Sequence, residues 1–155
     1  MWTGMSAPFA HPGEAVFGKP QRRENRVGDY LLDTNILILA LRGHSGALDF
    51  LLALEREEKR ALISVVTRAE VLTGMHPHEE PRTLELLNAL GNLPVDRDVA
   101  DQAGRWVYQY ARQGVQLSLP DALIAATAFL HHLTLVTTNP QHFPIPGLQV
   151  QPFVA

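Results

Sequence analysis

Short apolar runs alternate with helical patterns along most of this chain, and this alternation constrains its fold more than any other feature. Runs rich in apolar and β-branched residues, typical of buried strands, occupy positions 30–32, 61–66 and 133–137, with weaker candidates at 93–95 and 148–150. Between them, helical patterns are found at 36–42, 47–60, 67–75, 82–90, 97–113 and 119–132. This alternation predicts a three-layer α/β/α fold, in which helices cover both faces of a central, mostly parallel sheet.

Length and composition indicate one folded domain preceded by an extension. The 155 residues suit a single domain. Residues 1–28 combine glycines and prolines with no apolar period, which predicts a flexible N-terminal extension before a domain over 29–155. The absence of cysteine excludes disulfides, cysteine zinc sites and a cysteine nucleophile. No apolar run approaches the roughly 18 residues that cross a bilayer, so we expect a cytoplasmic protein with no membrane partner.

Three carboxylates stand where the predicted fold would bring them to one edge of the sheet. Asp33 directly follows the first strand, Glu70 lies in the first turn of the helix predicted after the second, and Asp121 opens the late apolar helix. Ligands of open parallel sheets bind beyond the carboxyl ends of the strands. Carboxylates about 5 Å apart repel one another, and a hard divalent cation such as Mg²⁺ removes that repulsion. The pattern therefore favours a metal site that could activate water.

Helix capping offers a second interpretation of each acid. Asp33 suits the N-cap of the next helix. Thr67 and Glu70 match a capping box, in which the glutamate reaches back to the threonine N–H, and Ser118 and Asp121 have the same spacing. Both interpretations stay open for each residue alone. Because capping does not require the three acids to converge, their common edge favours the metal site.

Four segments of the chain, taken together, resemble PIN domains. In chain order they are 31–35 (LLDTN), 67–74 (TRAEVLTG), 121–128 (DALIAATA) and 136–143 (VTTNPQHF). The order and spacing are similar to those of VapC-like toxins of type II toxin–antitoxin systems, over about residues 29–145. The resemblance implies a five-stranded parallel sheet and an endoribonuclease that hydrolyses RNA with Mg²⁺ or Mn²⁺. It also implies a homodimer that is inhibited by a cognate antitoxin protein.

The resemblance also assigns roles to single residues. Asp33, Glu70 and Asp121 would be the catalytic, metal-binding acids. Asn35 would orient Asp33, and Thr137 would lie at the edge of the site and hydrogen-bond a ligand or a water.

This chain departs from the family in its last motif. The family often has a fourth acid there, at the position of Asn139 or at that of His142, and here neither residue is acidic. Asn139 can still ligate weakly through its carbonyl or hold a water. We therefore expect one tightly bound ion rather than two.

Contacts with RNA and two other function classes complete the sequence prediction. The net charge of −3 argues mildly against a nucleic-acid partner, but a local basic rim is compatible with it, and Arg68 is the candidate phosphate contact.

A phosphohydrolase with Asp33 as nucleophile would need a second aspartate at position 35, which holds asparagine. A PIN-like protein that binds RNA or a partner with weak or no catalysis stays open, and the missing fourth acid supports it.

Overall fold

A computed structural model describes residues 29–155, in which five strands form one parallel sheet. The strands are β1 (Tyr30–Leu32), β2 (Ala61–Ser64), β3 (Gly91–Leu93), β4 (Thr134–Thr137) and β5 (Val150–Pro152). Their order is β3-β2-β1-β4-β5, and all four pairings are parallel. The predicted flexible extension over 1–28 lies outside the described residues.

Within residues 29–155, six α-helices cover the two faces of the sheet. They are α1 (Thr34–Leu41), α2 (Ser45–Arg56), α3 (Val65–Gly74), α4 (Glu80–Ala89), α5 (Arg97–Arg112) and α6 (Leu119–Leu130). Short 3-10 turns occupy Pro77–Glu79 and Pro140–His142.

Neighbouring residues of each strand enter different cores, because successive side chains of a strand point to opposite faces. On β1, Leu31 packs in a core with residues of α5 and α6, whereas Leu32 packs in a second core with Ile36 and Leu37 of α1. The sheet is thus buried between two helical layers, which confirms the predicted three-layer α/β/α fold.

The order of the strands sets where a ligand site can lie. From β1 the chain proceeds outward to β2 and β3, and then returns to place β4 on the other side of β1. Ligands of such sheets bind at the carboxyl ends of the strands where this direction reverses. Asp33 directly follows β1 there, and its N–H donates to the Val136 carbonyl of β4 at 2.9 Å.

Helix α3 begins earlier than the sequence predicted. Ser64 is its N-cap, since the Ser64 hydroxyl accepts from the Val66 N–H at 3.0 Å. Val65 and Val66, predicted as the end of a strand, are therefore helical, because a local cap outweighs the preference of β-branched residues for strands. Glu70 consequently lies in the second turn of α3, and its predicted place in the first turn is wrong.

Other predicted boundaries were also displaced. The helix predicted to end at position 60 ends at Arg56, because Glu58 adopts a left-handed conformation with φ 57°. Strand β3 begins at Gly91, which pairs with Leu62, two residues before the predicted run. A β-carbon at Gly91 would lie 2.4 Å from Leu62 Cδ2, so any other residue at this position would require the Leu62 side chain to shift. Strand β5 lies two residues after its predicted position.

Helix length bears on the expected absence of a membrane span. Across residues 29–155, no single helix is long and apolar enough to cross a bilayer. The α1–α2 pair reaches that length and composition only together, and the two helices meet at a bend of 110°.

Candidate metal-binding active site

Asp33 is fixed at the carboxyl end of β1 by two hydrogen bonds. It is the N-cap of α1, and its Oδ1 accepts from the Thr34 N–H at 2.8 Å. Its Oδ2 accepts from the Thr137 hydroxyl at 2.7 Å. The residue is only 7% exposed. The capping interpretation is confirmed here, yet an ionised carboxylate offers about four acceptor sites, so these two bonds leave capacity for a ligand.

The environment of Asp33 disfavours its negative charge. Burial raises the pKa of this carboxyl above its ordinary value, and the nearby Asp121 charge raises it further. The bonds from Thr137 and Thr34 and the charge of His142 lower the pKa, without cancelling the increase. Such a group is stabilised in its ionised form by a cation placed next to it.

Asp121 lies in the first turn of α6, as predicted, and its backbone and side chain have separate partners. Its backbone N–H donates to the hydroxyl of the N-cap residue Ser118 at 3.2 Å. Its carboxylate Oδ2 lies 3.8 Å from His142 Nδ1. Capping by Ser118 therefore leaves the Asp121 carboxylate facing the segment after β4.

Glu70 reaches the same edge through a contact that the sequence did not reveal. Its Oε1 accepts from the Thr34 hydroxyl at 2.5 Å, next to Asp33 in the chain. The predicted capping box with Thr67 is wrong, because α3 starts at Val65 and is capped by Ser64. Thr34 therefore anchors Glu70 beside the first acid.

The three acids do not form the shared metal cage that we predicted. Among the side chains of residues 29–155, no group of three or more histidines, aspartates or glutamates could together hold a metal ion. Glu70 is instead hydrogen-bonded to Thr34. Asp33 and Asp121 interact electrostatically. Magnesium is typically held by one or two carboxylates and several waters, so it does not require a cage of three acids.

The predicted supporting residues lie around Thr138 and Asp33. Asn35 donates from Nδ2 to the Thr138 hydroxyl at 3.3 Å, and Asn139 donates to the same hydroxyl at 3.2 Å. The side-chain bond that orients Asp33 comes from Thr137, not from Asn35. Thr137 is fully buried, and its hydroxyl also accepts from the Asn139 N–H at 3.0 Å. It therefore positions an acid rather than a ligand or a water.

Arg68 has structural partners in place of the predicted phosphate contact. Its guanidinium donates to Asn92 Oδ1 at 3.0 Å and to Asn88 Oδ1 at 2.9 Å. Asn92 in turn donates to the carbonyls of Leu87 and Leu90. The arginine thus ties α3 to the end of α4 and to β3. The prediction placed Arg68 at a helix start, and it lies further along because α3 begins at Val65.

Comparisons with known proteins agree with this fold. Residues 30–145 match the PIN domain family. Ribonuclease VapC10 of Mycobacterium tuberculosis is 37% identical over 115 residues, which make up 74% of this chain and 86% of that protein. The chain therefore belongs to the PIN domain family. Within that family it is similar to VapC ribonucleases.

Solved structures give the same result. VapBC2 from Rickettsia felis, bound to a DNA fragment from its promoter, superposes on this chain with a TM-score of 0.70 at 25% sequence identity. The match covers 81% of this chain and 98% of the Rickettsia chain. A toxin–antitoxin complex from Klebsiella pneumoniae gives a TM-score of 0.66 at 37% identity, with the same coverage. The expected resemblance is confirmed in both sequence and fold.

Proposed function

We propose that this chain is a metal-dependent endoribonuclease and the toxin of a type II toxin–antitoxin pair. One observation carries the proposal: Asp33 and Asp121 interact at the reversal point of the sheet, and within residues 29–155 Asp33 has no lysine or arginine as ion-pair partner. The similarity to VapC ribonucleases supports RNA as the substrate.

The residues of the site have separate tasks in this proposal. Asp33, fixed by Thr34 and Thr137, and Asp121 would hold one Mg²⁺ or Mn²⁺. When bound, such an ion acts as a Lewis acid on a phosphodiester oxygen and lowers the pKa of water. The Oε2 atom of Glu70 takes no part in the hydrogen bond from Thr34, which Oε1 accepts. The Oε2 atom would orient the attacking water and accept its proton.

The partners follow from the proteins to which the chain is similar. The Rickettsia structure is of VapBC2, and the Klebsiella structure is a toxin–antitoxin complex. We infer that a cognate antitoxin covers the acidic site of this chain, and that the toxin acts as a homodimer in the cytoplasm.

Cleavage of a structured RNA by the purified full-length chain tests the proposal. We expect cleavage with Mg²⁺ or Mn²⁺ and none with EDTA. Asp33→Asn and Asp121→Asn should each reduce the rate by about a thousandfold, which corresponds to about 4 kcal/mol of transition-state stabilisation. Asp98→Asn is the matched control, because Asp98 lies in the first turn of α5 as Asp121 lies in the first turn of α6, but Asp98 is exposed whereas Asp121 is half-buried.

Two outcomes would reject the proposal. Cleavage that is indifferent to EDTA and to both substitutions would exclude a metal-dependent nuclease built on these acids. RNA binding without cleavage, together with growth inhibition that Asp33→Asn does not relieve, would favour the non-catalytic binding protein.

A further inference from the structure

Two threonine hydroxyls lie next to the Glu70 carboxylate. The Thr34 hydroxyl lies 2.5 Å from Glu70 Oε1 and 3.4 Å from the Thr67 hydroxyl. Thr34 is the first residue of α1, whereas Thr67 and Glu70 both belong to α3. Residues three apart in a helix are neighbours on its surface, so Thr67 and Glu70 share one face of α3. That face meets the start of α1, because the two helices pack against each other.

The number of hydrogens on these hydroxyls determines the direction of the two contacts. A threonine hydroxyl has one hydrogen to donate and two lone pairs that accept, whereas an ionised carboxylate only accepts. A separation of 2.5 Å is typical of a hydroxyl that donates to a carboxylate, so the single hydrogen of Thr34 lies on the contact with Glu70. The hydrogen between the two hydroxyls then comes from Thr67. The three side chains therefore form a hydroxyl chain, in which Thr67 donates to Thr34 and Thr34 donates to Glu70.

The hydroxyl chain limits the freedom of the glutamate side chain. Thr67 is fully buried, and Thr34 and Glu70 are half-buried. A free glutamate has many rotamers, and a bond from a fixed donor to Oε1 selects those that keep this contact. Donation by Thr67 polarises the Thr34 hydroxyl, which strengthens its bond to the carboxylate.

We propose that Thr34 is a positioning residue of the nuclease: its hydroxyl, supported by Thr67, holds the Glu70 carboxylate so that Oε2 receives the proton of the attacking water. This inference rests on the proposed function, in which Glu70 accepts that proton. The water oxygen bonds to phosphorus as the bond from phosphorus to the leaving sugar oxygen breaks, and the leaving oxygen takes a proton from solvent. A general base works only within hydrogen-bond reach of the proton that it removes, so its placement governs the rate.

A purely structural role for Thr34 makes a different prediction. The hydroxyl would then only join α1 to α3, and its removal would lower stability without changing the rate of the folded molecules. Thr34→Val removes the hydroxyl at nearly constant volume and keeps the backbone N–H that donates to Asp33. Thr34→Ser keeps the hydroxyl.

RNA cleavage by the full-length chain with Mg²⁺ or Mn²⁺ separates the two roles. We expect Thr34→Val to lower kcat per folded molecule by up to about 100-fold, which is the cost of misplacing a reacting group by about 1 Å. KM should stay unchanged, because the hydroxyl acts on the base and not on the RNA. Thr34→Ser should stay near the wild-type kcat. Thr67→Val should lower kcat less than Thr34→Val, since Thr67 acts only through Thr34.

Thr73→Val is the matched control on the same helix. The Thr73 hydroxyl donates at 2.7 Å to the backbone carbonyl of Glu70 and not to its carboxylate. Its removal should leave kcat at the wild-type value.

A double-mutant cycle with Glu70→Gln identifies the group through which Thr34 acts. Glu70→Gln alone should lower kcat by about 100-fold or more, as for the loss of a general base. In a chain that already carries Glu70→Gln, Thr34→Val should cause no further loss, because there is no base left to position.

Each outcome either supports or overturns the inference. Wild-type kcat in Thr34→Val, equal losses in Thr34→Val and Thr34→Ser, or additive losses in the cycle would overturn the positioning role and leave the proposed nuclease intact. If Thr34→Val does not fold, a kcat for Thr67→Val equal to that of the control would overturn it. Full activity of Glu70→Gln beside an inactive Asp33→Asn would overturn both the positioning role and the role of Glu70 as base. Cleavage that ignores EDTA and Asp33→Asn would overturn the proposed function itself.

Discussion

The two ends of strand β1 each carry a buried aspartate, and the protein treats the two charges in opposite ways. Asp29, just before the strand, is 4% exposed and accepts from Arg60 Nε at 3.0 Å and Nη2 at 2.9 Å. Asp33, just after the strand, is 7% exposed and has neutral donors from Thr34 and Thr137. One carboxylate is neutralised by a guanidinium, while the other is hydrogen-bonded and left charged.

This difference separates a structural edge of the sheet from a functional one. The Asp29–Arg60 pair joins the start of β1 to the residue before β2, where the Tyr30 N–H also donates to the Arg60 carbonyl. A guanidinium that makes two bonds to one carboxylate fixes geometry as well as charge. At the opposite edge, no lysine or arginine of residues 29–155 forms an ion pair with Asp33, and a buried charge of this kind costs stability and leaves the site prepared for a cation. A buried acid therefore indicates a ligand site only where the chain does not supply its counter-charge.

Breaking the structural edge should give the largest change in stability. Asp29→Ala leaves the Arg60 guanidinium, which is 28% exposed, without its carboxylate. We expect the free energy of unfolding to fall by about 3 kcal/mol, as for the loss of one partner of a buried pair. Urea denaturation measures this loss. RNA cleavage per folded molecule should stay unchanged, because Asp29 lies at the other end of β1.

The exposed ion pair between Lys59 and Glu57 provides the control for this prediction. Its atoms lie 3.0 Å apart, but both side chains are in contact with solvent. Glu57→Gln should leave the urea midpoint where it is, since exposed pairs contribute little. If the two substitutions had equal effects, the contrast between the edges of β1 would be wrong.

Removing one donor at the functional edge should have a smaller effect on stability and a distinct effect on activity. In Thr137→Val, Asp33 loses its Oδ2 partner and the Asn139 N–H loses its acceptor. We expect a loss of about 1–2 kcal/mol in stability. We also expect a loss of roughly 10- to 100-fold in cleavage, as for residues that orient metal ligands. Thr137→Ser keeps the hydroxyl, and rates measured for it should stay near wild type. Equal rates for both variants would show that the hydroxyl does not position Asp33.

Sequence reasoning could place the elements of the fold and two of the three acids. Asp33 lies at the end of an apolar strand and Asp121 at the start of an apolar helix, so local pattern and the topology of parallel sheets locate both. The bond of Glu70 to Thr34 joins side chains 36 positions apart, and no local pattern encodes such a contact.

The errors in the predicted roles of Glu70 and Arg68 have a common physical origin. Ser64 and Thr67 are both good N-cap residues, and choosing the later one displaced the start of α3. That displacement gave Glu70 a capping role and gave Arg68 a position at the helix start. Packing decides such cases, since Arg68 is positioned by Asn88 and Asn92, which lie 20 and 24 residues away.

Of the three substitutions, Asp33→Asn should change the free energy of unfolding least, and it should raise stability where Asp29→Ala and Thr137→Val lower it. In Asp33→Asn, the side-chain oxygen can still accept from the Thr34 N–H, and the Thr137 hydroxyl can accept from the new amide because it is both donor and acceptor. The pKa of Asp33 is raised above its ordinary value of 3.8, so its ionised form opposes folding at neutral pH. In EDTA we therefore expect a gain in the free energy of unfolding and a higher Tm for Asp33→Asn than for the wild type.

The dependence on pH provides the sharper measurement of this gain. A raised pKa in the folded state means that the wild type recovers stability as the pH falls through that pKa toward 3.8, and loses it as the pH rises. The difference in Tm between Asp33→Asn and the wild type should therefore be largest near neutral pH and shrink on acidification. Asp29→Asn should destabilise at neutral pH, because it removes a charge that Arg60 compensates. If both asparagine variants were destabilised in EDTA, Asp33 would be a structural acid like Asp29, and the two edges of the sheet would not differ in kind.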